Sequence, residues 1–198
     1  MKLVFFIKSP TVDITHYNIK DIPGSSGRLD VIARCVLAAL LQKKMLETNV
    51  EIWVFLDNYG TFIFNSDCFN YSQFPKNELM FSDYFVSFLL NFDSDEKLSE
   101  NPLKTTKHSK ISLFEALKKF QIKNYNLFVL KEEGVDFFEI ESTIKEKKKI
   151  GFLIGSQKDE YLSSKELISL EIPAISMGTH SYLASSIIRL LKLHLLSF

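Results

Sequence analysis

The chain has 198 residues, enough for one substantial hydrophobic core, and its 24 basic and 24 acidic residues cancel to a formal charge of zero. Neutrality excludes a protein that grips nucleic acid through its overall charge, so contact with a polyanion has to come from a local patch. Two cysteines, Cys35 in an apolar run and Cys68 in a polar one, form neither a metal-ligand spacing nor a disulfide pattern, which fits a reducing, cytoplasmic setting.

Met1 to Ile7 reads as a first strand: five apolar residues between lysines are too few for a membrane span and lack the small-residue cleavage site of a signal peptide. Next comes "DIPGSSGRLD", Asp21 to Asp30, running straight into "VIARCVLAALL". Pro23 and Gly24 fit a type II turn, and Ser25 or Ser26 suits the cap of a helix from Arg28 to about Leu46. That helix repeats apolar residues at i, i+3 and i+4 through Leu29, Ile32, Ala33, Val36, Leu37 and Leu40. Arg28 and Asp30 fall at its start, where free N–H groups and the helix dipole favour an anion. Composition leaves three readings of this stretch open: a turn with its cap, a phosphate cradle, or a catalytic loop brought to a site built elsewhere. Arg34, six residues beyond Arg28, is expected on another face, in a surface pair.

Val50 to Asp57 reads as a second strand and "YGTFIFN" as a third, joined by a turn at Asn58, Tyr59 and Gly60. A helix is expected around Asp83 to Phe92. From Asp93 to Lys110 the chain turns polar, which predicts a long exposed loop whose cations Lys104, Lys107, His108 and Lys110 are either solvated or touch phosphate. Ser112 and Glu115 form a capping-box pattern at the start of "SLFEALKKF". There follow a strand "YNLFVLK", a turn "EEG", a short strand "VDFFEI", a helix-like "ESTIKEKKK", a strand "IGFLIG", a loop "SQKDEYL", a helix "SSKELISL", a strand "IPAISM", a loop "GTHS" and a last helix from Tyr182. Arg189, Lys192 and His194 interrupt that last apolar run well before membrane length. "NLFVL", "IGFLIG" and "IPAIS" are continuously apolar with helices between them, the pattern of parallel strands covered on both faces in an α/β protein.

Ligands of open parallel sheets bind at the carboxyl ends of strands, here after Leu130, Ile154 and Ser176. Gly134, Gly155 and Gly178 mark those three ends, either to support tight turns or to line a pocket for a flat heterocycle with backbone. The chain contains no GxGxxG, no GxxxxGK[ST] and no serine in a nucleophile elbow. His16, His108, His180 and His194 are scattered, so no metal is expected.

Four stretches, "DIPGSSGRLDVIARCVLAALL", "FLDNYGTFIF", "LFVLKEEGVDF" and "IGFLIGSQKDEYLSSKELISLEIPAISMGTHSYLASSIIRLL", resemble in order the archaeal tRNA pseudouridine-54 N1-methyltransferases, the TrmY family of SPOUT methyltransferases. The PGS-x-GRLD loop is the most specific piece. The resemblance implies an α/β fold with a mostly parallel sheet flanked by helices and a C-terminal deep trefoil knot, an exception to the rule that connections do not thread. It implies one domain over residues 1–198, with a Rossmann-like part to about 120 and a knotted cofactor-binding part beyond it. It also implies S-adenosylmethionine as cofactor, tRNA as partner, a homodimer packed through the knot, and neither membrane nor metal. Carried over to this chain, the cofactor loops comprise Leu130 and Gly134, then Ile154, Gly155 and Ser156, then Ile175, Ser176, Met177, Gly178 and Tyr182. Asp30 becomes the candidate proton acceptor or the group that orients Arg28, and Arg28 the residue that holds a phosphate or polarises a base carbonyl. Arg28, Lys104, Lys107 and Lys110 are the expected RNA contacts. Three departures stand out: Gly155-Ser156-Gln157 lacks the family's acidic residue after the glycine, the last knot loop lacks the cysteine associated with the family near Ile187, and Lys107-His108-Ser109-Lys110 replaces an arginine-bearing stretch. They keep two other functions in view, methylation of a different RNA position and a catalytically weak RNA-binding relative.

Overall fold

A computed structural model describes residues 1–155, 159–178 and 182–196. Its centre is β1 (Lys2–Ser9), where Leu3 to Ile7 are fully buried. Alternation along this strand feeds two cores, with Leu3, Phe5 and Ile7 on one face of the sheet and Val4 and Phe6 on the other. β1 pairs in parallel with β2 (Val50–Leu56) and β6 (Lys149–Ile154). β3 (Gly60–Asn65) and β4 (Lys107–Ser109) continue antiparallel beyond β2, while β5 (Asn126–Asp136) and β7 (Ala174–Ser176) continue parallel beyond β6. The seven strands run β4-β3-β2-β1-β6-β5-β7, a mostly parallel sheet as the apolar runs led one to expect.

Helices cover both faces. α2 (Leu29–Leu40), α3 (Glu78–Asn91), α6 (Phe137–Lys145) and α8 (Ala184–Leu196) pack on the larger core; α5 (Leu113–Ile122) and α7 (Lys165–Ile168) pack on the smaller one. All six apolar positions that mark the α2 stripe are buried. Ser112 and Glu115 close the capping box of α5 reciprocally. Among the described residues, no helix is long and apolar enough to cross a membrane.

Several elements differ from expectation, each for a local reason. α2 stops at Leu40 because Leu41 is extended and bridges Leu46. The buried Lys192 ammonium donates to the Ala38 and Leu41 carbonyls at 2.7 and 2.9 Å and pairs with Glu47 at 3.0 Å. A cation thus caps the negative end of the helix dipole; burial lowers the Lys192 pKa, opposed by Glu47. α3 starts at Glu78 because Asn77 caps the Met80 N–H. Residues 93–110 are not an open loop. Leu98 and Leu103 are buried, Asn101 ties the segment to the Tyr84 carbonyl, and β4 closes the sheet edge. His108 packs its ring 4.2 Å from Phe92, with Nε2 3.2 Å from the Tyr59 carbonyl. Residues 137–140, expected in a strand, open α6 instead, because Asp136 caps the Phe138 N–H and Phe137 and Ile144 share a buried helical face. The expected helix over 163–170 resolves into a 3-10 turn (Asp159–Ser163) and the single turn of α7. The last helix begins at Ala184, two residues after Tyr182.

Candidate active site

The donor-rich loop folds as α1 (Ile22–Ser25), one helical turn with Pro23 in its first positions, and not as a type II turn. The Asp21 carboxylate accepts the Gly24 N–H at 3.1 Å, fixing its entry. Ser26 serves the next helix: its Oγ accepts the Leu29 N–H at 3.1 Å and donates to the Ile22 carbonyl. Between them Gly27 and Arg28 both take left-handed backbone, φ +58° and +72°. Thr11 Oγ1 donates to the Gly27 carbonyl at 2.8 Å, which ties the turn to the chain leaving β1.

This reversal lays the Arg28 side chain along Asp30. Nε and Nη2 of Arg28 meet Oδ1 and Oδ2 of Asp30 at 2.9 and 3.1 Å, a two-pronged pair around a carboxylate only 2% exposed. Hydrogen bonding to Asp30 raises the Arg28 pKa, so the guanidinium stays charged. Arg34 Nη2 reaches Asp30 Oδ2 at 2.5 Å, and its Nε lies 3.6 Å from Glu78. Arg34 therefore shares the Arg28 carboxylate, in contrast to the expectation of a separate face. The helical phase does not relate Arg28 to Arg34, since Arg28 is not helical; Asp30 and Arg34 are a true i,i+4 pair. The two guanidiniums fan out from one buried anion. Cys35, just beyond, is no nucleophile: burial pushes its thiol up to about 12.

The fan opens on a cleft of about 620 Å³ at the carboxyl ends of β5, β6 and β7. Leu130, Gly155, Ile175, Ser176, Met177, Gly178 and Tyr182 line it together with Arg28, while Asp30 stands outside the lining. Ile154 is buried at the end of β6, its carbonyl accepting the Tyr161 hydroxyl at 3.1 Å, and is absent from the lining. Ser156 lies outside the described residues. Gly134 belongs to the sheet: any side chain there meets the Ile175 backbone of β7. Leu130 and Val135 both register on Ile175, so residues 131–134 leave the strand and return, and that excursion brings Lys131, Glu132 and Glu133 to the cleft. Gly134→Ala is accordingly expected to destabilise the fold by about 2–3 kcal/mol, read by denaturant unfolding, because the added methyl meets backbone atoms of β7 that cannot rotate away. An unchanged midpoint would mean that β5 and β7 separate without cost.

Lys104, Lys107 and Lys110 are not brought to the cleft. β4 and β5 are five strand spacings apart, roughly 24 Å, and Lys104 Nζ donates to the Ser99 carbonyl at 2.6 Å. Sequence reasoning passes over Arg34, whose i,i+4 spacing to Asp30 is a usable signal, and over the cleft residues Val31 on α2, Leu162 and Ser163 on the 3-10 turn, and Leu183 to Ser185 and Ile187 at the start of α8, which only the fold brings together. Among the described residues, no group of three His, Cys, Asp or Glu side chains could hold a metal ion.

The model of the SAM-dependent RNA methyltransferase family matches residues 2–198, essentially the whole chain. The chain belongs to this family. Curated relatives agree. A tRNA (pseudouridine(54)-N(1))-methyltransferase of Pyrococcus abyssi is 27% identical over 201 residues, covering 97% of this chain and 96% of its own. One of Thermococcus onnurineus with the same name is 23% identical, covering 90% and 89%. Among solved structures, Archaeoglobus fulgidus Nep1 bound to S-adenosylhomocysteine superposes with a TM-score of 0.62 at 18% identity, covering 98% of this chain and 97% of its own. That likeness gives the methyltransferase a SPOUT-type α/β fold.

The cleft fits the family's S-adenosylmethionine. Its volume lies within the range that holds small cofactors. Among the described residues, nothing lies within 4 Å of where a Cβ on Gly178, at φ +94°, would sit, which leaves that side of its backbone open to a flat ring. Leu130, Ile175 and Met177 offer apolar contact for an adenine, and Glu132 and Glu133 offer carboxylates for hydroxyl or ammonium groups.

Proposed function

We propose that this methyltransferase transfers the methyl group of S-adenosylmethionine to N1 of pseudouridine 54 in tRNA. The observation that carries the reading is the convergence of the Arg28–Asp30–Arg34 fan with the three strand ends in one cleft. The curated relatives, matched nearly end to end, supply the nucleotide.

The cofactor, when bound by Leu130, Gly155 and the Ile175 to Gly178 segment, supplies an electrophilic methyl group. The protein's task is to place the nucleophilic nitrogen against it and to let the N1 proton leave. Asp30 acts as the positioning residue. Three guanidinium N–H groups already occupy its two oxygens, so its work is to hold Arg28 and Arg34. Arg28, 41% exposed at the cleft, carries the substrate contact: its free N–H groups bind the pyrimidine carbonyl beside N1 or a phosphate. The proton passes to water or to the exposed Glu132 or Glu133. The reading extends to the deep knot in a C-terminal part from about residue 121, a homodimer packed through it and supported by exposed Phe138 and Leu183, and a cytoplasmic setting. Lys104, Lys107 and Lys110 fit contact with a more distant part of the tRNA.

Titration calorimetry with S-adenosylhomocysteine and mass spectrometry of tRNA treated with enzyme and cofactor test the proposal. Expected are micromolar binding and a single methyl on N1 of pseudouridine 54. No heat at millimolar ligand overturns the cofactor site, and a methyl elsewhere overturns the nucleotide.

A further inference from the structure

The turn from β2 into β3 contributes nothing to the cleft lining, yet its Asn58 and Tyr59 reach across to the chain that leaves β1. Asn58 Nδ2 donates to the Val12 carbonyl at 3.0 Å. The Tyr59 hydroxyl accepts the Ile14 N–H at 2.9 Å and donates to Asp13 Oδ1 at 3.3 Å. Tyr59 is itself pinned. Its ring packs against the larger core and its N–H donates to the Leu56 carbonyl at 3.0 Å. Its own carbonyl lies 3.2 Å from Nε2 of His108, whose ring sits against Phe62 and Phe92.

The strapped segment is the one that grips the donor-rich loop. Thr11 Oγ1 donates to the Gly27 carbonyl at 2.8 Å, and the Asp13 N–H donates to the Ser26 carbonyl at 3.2 Å. Resting on the proposed RNA methyltransferase activity, we propose that Tyr59 is a positioning residue for the reaction: its hydroxyl holds Asp13 and Ile14 against Ser26 and Gly27 and so fixes the direction of Arg28. Two features single out this hydroxyl. One oxygen binds groups of two consecutive residues, which fixes both the place and the rotation of the segment, whereas the Asn58 bond to Val12 fixes one point. Arg28, moreover, is a non-glycine residue at φ +72°, and such backbone persists only where the surroundings over-determine it. The strap supplies part of that constraint from a frame rooted in the outer strands. Because Tyr59 stands outside the cleft lining, its effect on the substrate passes through Arg28 alone.

Tyr59→Phe removes both hydroxyl bonds and keeps the ring in the core. Its kcat for tRNA methylation is expected to fall about tenfold, since a small misplacement of a transition-state contact is costly. S-adenosylhomocysteine affinity should stay within about twofold of wild type, and the melting temperature should fall by no more than about 4 °C. A double-mutant cycle with Arg28→Ala, read in single-turnover rates, separates positioning from general loosening. In the Arg28→Ala protein, Tyr59→Phe should cost less than about twofold further. Rate losses that multiply in the double variant, or an unchanged kcat in Tyr59→Phe, would overturn the assignment. Amide hydrogen exchange without tRNA gives a second reading. The Asp13 N–H, whose Ser26 partner is untouched by the substitution, should exchange at least about tenfold faster, while Phe5 in β1 keeps its rate. Equal Asp13 exchange in both proteins would likewise overturn the strap. A wild-type protein that binds cofactor but methylates no tRNA fails the proposed function itself, a result distinct from these, and the exchange rates then still decide whether the hydroxyl holds the loop.

Discussion

Asp30→Asn is expected to lower kcat for tRNA methylation by about 10²-fold while leaving S-adenosylhomocysteine affinity within a few-fold of wild type. The carboxylate lies outside the cleft lining, so cofactor contacts survive its loss. Asparagine keeps the shape but presents one acceptor and one N–H₂ donor. The donor would face a guanidinium, so the two-pronged pair with Arg28 and the bond to Arg34 cannot both persist. Arg28 then swings through the rotamers of a long side chain, and the substrate loses a fixed partner. The cost in stability is smaller, about 1–2 kcal/mol, because both guanidiniums are about a third exposed or more and water screens the charge that remains. Single-turnover kinetics, calorimetry and urea unfolding on the same preparation separate these effects. A variant with unchanged kcat and raised KM would give Arg28 a ground-state binding role only. Unchanged values of both would reduce the three charges to a helix-start brace.

The contrast between what could be foreseen in this chain and what could not follows from the range of the interactions involved. The α2 stripe, the parallel strands and the α5 capping box are local patterns, and each stands where its spacing puts it. The glycine-marked strand ends also lead to the cleft, with Gly155 and Gly178 lining it. Expectation fails where a few buried residues override polar composition. Residues 93–110 read as solvent-exposed, yet Leu98, Leu103 and Asn101 pull them onto α3 and leave β4 free to pair. Gly134 groups with the other two glycines by sequence position alone, whereas its requirement is the backbone of a strand some forty residues on. Arg34 reads as a separate surface group only when Arg28 is counted as helical; one residue at φ +72° breaks the phase. The resemblance to the TrmY family names cofactor and substrate, which no periodicity carries.

Gly27→Ala is expected to destabilise the protein by about 2–4 kcal/mol, a drop in melting temperature on the order of 10 °C for a chain of this size. Two costs act together. Alanine at φ +58° is strained in left-handed backbone, and its Cβ would overlap the Thr11 carbonyl, with the Asp13 N–H next in line at 3.1 Å. Those atoms cannot step aside, because Asp13 N–H is bonded to the Ser26 carbonyl at 3.2 Å and Thr11 is bonded through its hydroxyl to Gly27 itself. Gly24→Ala gives the comparison: its Cβ meets only the Asp21 side chain, which can rotate away at the expense of one capping bond, so a loss of about 1 kcal/mol is expected. Melting curves of the two variants order the effects. Equal losses would mean that the loop sits loosely on the end of β1. A larger loss at Gly27 would mean that the loop is clamped there. In that case the direction of Arg28 is set by the same backbone contact that carries the central strand into the active site, and activity lost in any Gly27→Ala protein that still folds should track misplacement of Arg28, with cofactor affinity retained.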